Sequence, residues 1–267
     1  MNNLLLIDGH SILNRAFYGI PMLTNHEGIH TNAIYGFINI MLRAMEDEKS
    51  DHIAVAFDLK APTFRHKMYE MYKGTRKPMP AELHEQVPVI KEILASMNIP
   101  VITLEGYEAD DILGTVGKKA QSLGYNVVIL SGDRDLLQLA DEHIKIRLPK
   151  TIKGRTEIEN YYPEDVMEKY MATPSEFIDL KALMGDSSDN IPGVPGIGEK
   201  TAMSIISKYH SIENAYEHVE ELTPAKAKNS LRENYDLAKL SKVLATIETD
   251  APVEFNIEDS AIAVSYT

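Results

Sequence analysis

The sequence predicts an α/β fold, a central mostly parallel sheet flanked by helices, followed by a helical subdomain. Short runs rich in Val, Ile and Leu recur at Leu4–Ile7, Ile53–Phe57, Val101–Leu104, Val127–Leu130 and Ile144–Leu148, each brief enough to be a fully buried strand. Segments with apolar residues three and four apart separate them, at Asn32–Met45, Ala81–Met97 and Ala109–Leu123. Strand, helix, strand in that order implies parallel pairing through right-handed crossovers. Strand signals stop after about Tyr161. Pro163 and Pro174 then open helical segments, GVPGIG makes a sharp turn, and helices continue to about Ile247.

The expected division is therefore an α/β core over residues 1–160 and a helical subdomain over 161–267. Between the second strand and the helix at Ala81 lies TFRHKMYEMYKGTRKPMP, which is neither clean strand nor clean helix. It reads either as an arch over a site or as an irregular exposed connection.

Several strands end in acids: Asp8 after LLLI, Asp58 after IAVAF, Asp133 and Asp135 after VVILSG. That is the edge of an open α/β sheet where ligands bind. GYEADD adds Glu108, Asp110 and Asp111, and LMGDSSDN adds Asp186 and Asp189. Converging carboxylates repel unless cations lie between them, and an all-oxygen donor set selects hard ions such as Mg²⁺ or Mn²⁺. Nine acids exceed the needs of one hard ion, which suggests two metal regions, and two ions about 4 Å apart suit phosphodiester hydrolysis.

Each motif has a plainer reading. Glu108 and Asp111 share a face of the helix they begin while Asp110 points aside, and acids in a first turn also suit the helix dipole. A single Asp after a strand is often a cap. Asp186 and Asp189 lie near a helix end, where acids are unfavourable unless a cation offsets them. Lys73 and Arg76 can add positive charge to a transition state in which Asp133 also takes part, and Tyr72 can stack on a base. In NIPGVPGIGEKTA, glycines 193, 196 and 198 permit a hairpin whose following helix offers its amides, with Lys200 and Thr201, to a phosphate.

The chain of 267 residues is 44% hydrophobic and 25% charged, as a globular protein is. With no cysteine, disulfides, thiolate metal sites and Cys nucleophiles are excluded. LLLI lacks the basic flank and the length of a signal-peptide core. A net charge of −13 argues against nucleic acid, but nine of the acids belong to the metal motifs and the basic residues cluster. The clusters are Arg65, Lys67, Lys73, Arg76 and Lys77; Lys145, Arg147, Lys150, Lys153 and Arg155; and Lys200, Lys226, Lys228 and Arg232. Each is either a solvated face or a phosphate contact.

The strings LLLIDGHSILNRAFY, VAFD, TFRHKMYEMYKGTR, YEADD, SGDRDLLQL, LMGDSSDNIPGVPGIGEKTA and LATI together resemble the bacterial 5′-3′ exonuclease and flap endonuclease family, the domain found at the N-terminus of DNA polymerase I. The resemblance implies a PIN-like 5′-nuclease fold, an arch over about 61–100 and a helix-hairpin-helix motif at about 190–210 that holds duplex DNA. It implies ligands near the scissile phosphate at Asp8, Asp58, Glu108, Asp110, Asp111 and Asp133, and a second region at Asp135, Asp186 and Asp189. Lys73 and Arg76 match the basic pair at the arch base beside Tyr72, and Gly196, Gly198 and Lys200 match the hairpin, where the family also binds a monovalent cation such as K⁺. YKGTR stands where YKANR is common, and Pro195 takes a variable place; neither removes a ligand.

The implied activity is cleavage of DNA at 5′ ends and 5′ flaps, in replication and repair, by a monomer in the bacterial cytoplasm near the nucleoid. No polymerase follows Thr267, so the chain is either a domain excised from a longer polymerase or a free-standing relative, and the uncapped IEDSAIAVSYT favours excision. Competing readings are a non-catalytic DNA-junction binding module, a PIN-type ribonuclease and a small-molecule phosphatase.

Overall fold

A computed structural model describes residues 2–152 and 155–262. The chain runs β1 (Asn3–Asp8), α1 (Gly9–Gly19), α2 (Asn32–Glu48), β2 (His52–Ala56), α3 (Phe64–Met68), α4 (Ala81–His84), α5 (Gln86–Ser96), β3 (Val101–Ile102), α6 (Ala109–Ser122) and β4 (Asn126–Leu130). After a 3₁₀ turn (Arg134–Leu139) come β5 (Ile144–Ile152), β6 (Arg155–Tyr161), α7 (Pro163–Tyr170) and α8 (Pro174–Met184). The chain continues with α9 (Glu199–Tyr209), α10 (Ile212–Glu217), α11 (Ala225–Glu233) and α12 (Tyr235–Ala245).

The sheet order is β3-β2-β1-β4-β5-β6, parallel throughout except for the antiparallel β5–β6 hairpin. Helices cover both faces. Leu5, Ile7, Val55 and Val128 pack on one side with α1, α2 and α5, and Leu4, Leu6, Val127 and Ile129 on the other with α6. The second cluster runs on without a break into α8, α9 and α11, so the sheet and the helical subdomain share a core. The order reverses at β1 and β4, which opens the crevice of a doubly wound sheet at their carboxyl ends. At the head of α1 this packing is close: a Cβ on Gly9 would stand 2.5 Å from the Phe57 ring.

Four expectations change. β6 was not anticipated, because RTEIENY is mostly polar, with only Ile158 and Tyr161 offering apolar bulk, and carries no continuous apolar run. α1 was missed, lying within GHSILNRAFYG directly behind a strand. The helix over 81–97 is interrupted at Glu85, since Pro88 has no N–H for the His84 carbonyl. The arch over about 61–100 narrows, because α5 buries Ile90 and Leu94 in the core with α2 and the segment beside the site runs from 61 to about 80. Among the described residues no helix is long and apolar enough to cross a membrane.

Candidate active site

The crevice contains a pocket of about 200 Å³ lined by Asp8, Asp58, Glu108, Asp110 and Asp133 together with Lys73 and Arg76. Asp8 ends β1 and caps α1, accepting the Ser11 N–H at 3.0 Å, and its second oxygen accepts the Ser131 hydroxyl at 2.7 Å. Burial first, with repulsion from Asp58 and Asp133, raises its pKa to about 6. Asp110 is pushed well above the carboxylate range by burial and by the charges of Asp8 and Asp133. For Asp58 burial acts upward too, but His10 Nδ1 at 3.2 Å and the Ala109 N–H at 2.9 Å outweigh it and bring the group to about 2. Asp133 caps the 3₁₀ turn, accepting the Asp135 N–H at 2.9 Å.

Asp135, Asp186 and Asp189 do not line this pocket. Lys181, buried on α8, bonds Asp135 Oδ1 at 2.7 Å and also bonds Asp186. Burial acts upward on Asp186, yet Lys181 and Ser188 bring it down to about 2. Asp135 is raised to about 7, first by burial and then by Asp133, with Lys181 only partly offsetting them. Asp189 is bonded by Arg76 and lies 3.7 Å from Lys73 Nζ. Among the described residues no three acids or histidines converge tightly enough to form a ready-made metal cage.

Two expected site residues are corrected. Asp111 is 0% exposed and wholly engaged: Arg65 bonds both its oxygens at 2.8 Å, and the Glu108 and Glu248 N–H groups donate to it at 2.9 Å. Of the three acids in this motif, Glu108 and Asp110 line the pocket and Asp111 does not. Tyr72 is 3% exposed and donates to Glu108 at 3.0 Å, so its ring is packed inside and presents no stacking surface.

Glu108 accepts Lys73 Nζ at 2.7 Å and holds that lysine on the rim. The turn between α8 and α9 needs its glycines. Gly185 and Gly193 have φ of +69° and +60°, and a Cβ on Gly185 would meet Ile191 O at 2.6 Å. Gly196, Gly198 and Lys200 are exposed beside the first turn of α9, Thr201 is half-buried there, and Lys226 lies 3.2 Å from a Cβ on Gly196.

Other basic residues serve the scaffold. Arg65 is buried, Lys145 and Arg147 bond Glu48, and Lys228 and Arg232 pair with Glu220. Lys153 lies outside the described residues.

A model of the 5′-3′ exonuclease N-terminal resolvase-like domain matches residues 3–171, and one of the 5′-3′ exonuclease C-terminal SAM fold matches residues 172–266. The chain belongs to the 5′-3′ exonuclease family. It is 49% identical over 258 residues to DNA polymerase I of Bacillus caldotenax and 50% identical over 254 residues to that of Bacillus subtilis. These alignments cover 97% and 95% of the chain but 29% of each polymerase. Among solved structures, a bacteriophage T5 5′-exonuclease described with zinc bound superposes with TM-score 0.75 at 24% identity, covering 93% of this chain and 90% of that one. The catalytic core of Rad2 with DNA superposes with TM-score 0.62 at 16% identity, covering 98% and 83%. Both share the fold of this 5′-3′ exonuclease family member.

Three residues of this family member escaped the sequence reading: His10, Ser131 and Lys181. The signal for Lys181 was present, a lone lysine in the apolar stretch FIDLKALM five residues before Asp186. His10 and Ser131 each stand two residues from a named acid, but nothing in their spacing distinguishes them from ordinary cap residues.

Proposed function

We propose that the chain is a structure-specific, divalent-metal-dependent nuclease that hydrolyses DNA phosphodiester bonds, as a 5′-3′ exonuclease and as a flap endonuclease at single-strand/duplex junctions, in replication and repair. The observation that carries this reading is the convergence of Asp8, Asp58, Asp110 and Asp133 on one pocket at the sheet's switch point, with Lys73 and Arg76 at its mouth. These donors fit a hard ion such as Mg²⁺ or Mn²⁺: all are carboxylates, and burial and mutual repulsion raise Asp8 and Asp110, a penalty that a bound cation would offset. When bound, such an ion polarises a phosphodiester and lowers the pKa of a water.

The chain's own residues do the rest. Lys73 and Arg76 draw a phosphate to the mouth, held there by Glu108 and Asp189. Ser131 and the Ser11 N–H orient Asp8, and His10 orients Asp58. Asp133 completes the four. Asp135, Asp186 and Asp189, as arranged, do not fit a second ion, because Lys181 bonds both Asp135 and Asp186 and Arg76 bonds Asp189.

The exposed face of Gly196, Gly198, Lys200 and Thr201 is assigned to the backbone of duplex DNA, with a monovalent cation such as K⁺ in the turn before α9. The segment 61–80 is assigned as an arch beside the single strand. We assign the activity to a monomer in the bacterial cytoplasm, at the nucleoid, as the 5′-nuclease part of a polymerase like those it matches over 29% of their length.

A 5′-labelled flap duplex incubated with Mg²⁺, Mn²⁺, Ca²⁺ or chelator tests this. Cleavage at the junction with Mg²⁺ or Mn²⁺ only is expected. Binding without cleavage at every metal concentration would instead mark a junction-binding module, and faster cleavage of an RNA flap of the same sequence would mark a PIN-type ribonuclease.

A further inference from the structure

Two exposed cations near the turn before α9 are left without an acid. Arg134 opens the 3₁₀ turn and pairs with no acid among the described residues; of the acids on either side of it, Asp133 lines the carboxylate pocket and Asp135 is bonded by Lys181. Lys226, in the first turn of α11, is likewise unpaired among the described residues, whereas Glu220 takes both Lys228 and Arg232 of the same helix.

Each lies against a different part of the hairpin. Arg134 directly follows Asp133, and its charge reaches the Tyr170 hydroxyl on α7, as does that of Glu199 in the first turn of α9. At the other contact, α11 is fastened to the turn: Ser230 Oγ donates to Pro195 O at 2.6 Å, and Lys226 lies over Gly196, where a Cβ would stand 3.2 Å from its Cε and 3.5 Å from its Nζ. Gly196 has φ of +79°, so the turn leaves that space to the lysine. The first turn of α9 brings no net side-chain charge of its own, because exposed Glu199 stands beside exposed Lys200. A polyanion crossing it draws its side-chain attraction from other elements.

We propose that Arg134 and Lys226 each bind a backbone phosphate of the duplex, Arg134 next to the cut and Lys226 farther along, where the backbone crosses the turn before α9. This rests on the nuclease reading and adds two residues, from outside the hairpin, that set the register of the duplex on the carboxylates. Arginine offers one phosphate a planar fork and lysine a point charge, and neither reads a base. The two come from separate elements of a rigid core, so they are engaged together by a strand whose phosphates keep a fixed spacing. A paired strand does so and a flexible single strand does not.

Binding of a 5′-flap duplex in Ca²⁺, measured across salt concentrations, tests this. Arg134→Gln and Lys226→Gln are each expected to reduce the slope of log K against log salt by about 1, and Arg134→Lys and Lys226→Arg to restore it. A neutral methylphosphonate linkage, moved phosphate by phosphate along the duplex, then locates each contact. One linkage next to the cut should weaken binding by the unsubstituted chain but not by Arg134→Gln, and a second, farther from the cut, should do the same for Lys226→Gln. An unchanged slope, or no linkage masked, in either glutamine variant overturns the inference, as does a lost slope that the conservative variants do not restore. A chain that binds no flap overturns it together with the nuclease reading. Slope and linkage effects without cleavage in Mg²⁺ count against the nuclease reading alone.

Discussion

Asp8, Asp58, Asp110 and Asp133 on one side, and Asp186 with Asp189 on the other, are the same residue type, yet basic side chains engage them to different degrees. In the first group His10 meets Asp58, which falls to about 2, while Asp8 and Asp110 stay raised. Around the first group the neighbouring lysine spends its hydrogen bond on Glu108, and burial with mutual repulsion lifts Asp8 to about 6. In the second group Lys181 and Arg76 bond the acids directly, and Asp186 falls to about 2. Asp135 stands between the two, bonded by Lys181 but still raised to about 7 by burial and by Asp133. A cluster of carboxylates is a vacant demand for cations only where the scaffold withholds its own.

The largest expected effect breaks the first group. Asp133→Asn should lower flap cleavage in Mg²⁺ by at least roughly a hundredfold, with binding in Ca²⁺ retained; unchanged turnover removes Asp133 from the machinery. Next comes a paired test on neighbouring acids. Asp110→Asn should impair cleavage while leaving the fold intact, whereas Asp111→Asn should lower stability to unfolding by about 3–5 kcal/mol, because Arg65 is left buried without its partner. Equal effects of the two on cleavage, with no loss of stability in the second, would erase the distinction drawn between them.

A smaller loss, about 3 kcal/mol, is expected for Lys181→Met, which leaves Asp135 and Asp186 facing each other. Added Mn²⁺ should restore the melting temperature of that variant more than that of the unsubstituted chain; no differential rescue would mean the second group cannot hold an ion even when emptied of its lysine.

The smallest effect is a slope. Asp8 and Asp135 bind protons more tightly folded, at about 6 and about 7, than unfolded, near 3.8, so with chelator present their contribution to stability is full below about pH 4 and declines as pH rises to about 7. Asp186 acts in the other sense, stabilising above 3.8 and losing that contribution as pH falls toward about 2. Urea unfolding from pH 4 to 8 should therefore show a decline with chelator, and Mg²⁺ should reduce the part of it due to Asp8. A flat chelator profile would place the first group, like the second, among compensated acids.

The parallel strands were legible because fully buried strands must be continuously apolar, and the acids were legible because they interrupt those runs. What could not be read was direction. Whether Asp110 or Asp111 faces the crevice depends on the packing of α6 against Arg65 and the chain after α12, contacts between residues far apart in sequence. The sequence marks Asp186 and Asp189 as metal ligands at a helix end, but not the side chains that meet them, Lys181 from α8 and Arg76 from the segment after α3, which lie apart from them in sequence or hidden in an apolar run. Tyr72 illustrates the same limit: its neighbours Lys73 and Arg76 reach the rim, while its own ring turns inward.

Lys73 and Arg76 also reach past the carboxylates. The Lys73 N–H donates to Asp189 O at 2.8 Å, Arg76 Nε to Ser188 O at 3.3 Å, and Asn190 Nδ2 to Met71 O at 2.6 Å. Three bonds stitch residues 71–76 to the loop that leads into the turn before α9. The two segments are thereby braced as one unit, so a substitution that loosens either is expected to disturb the other.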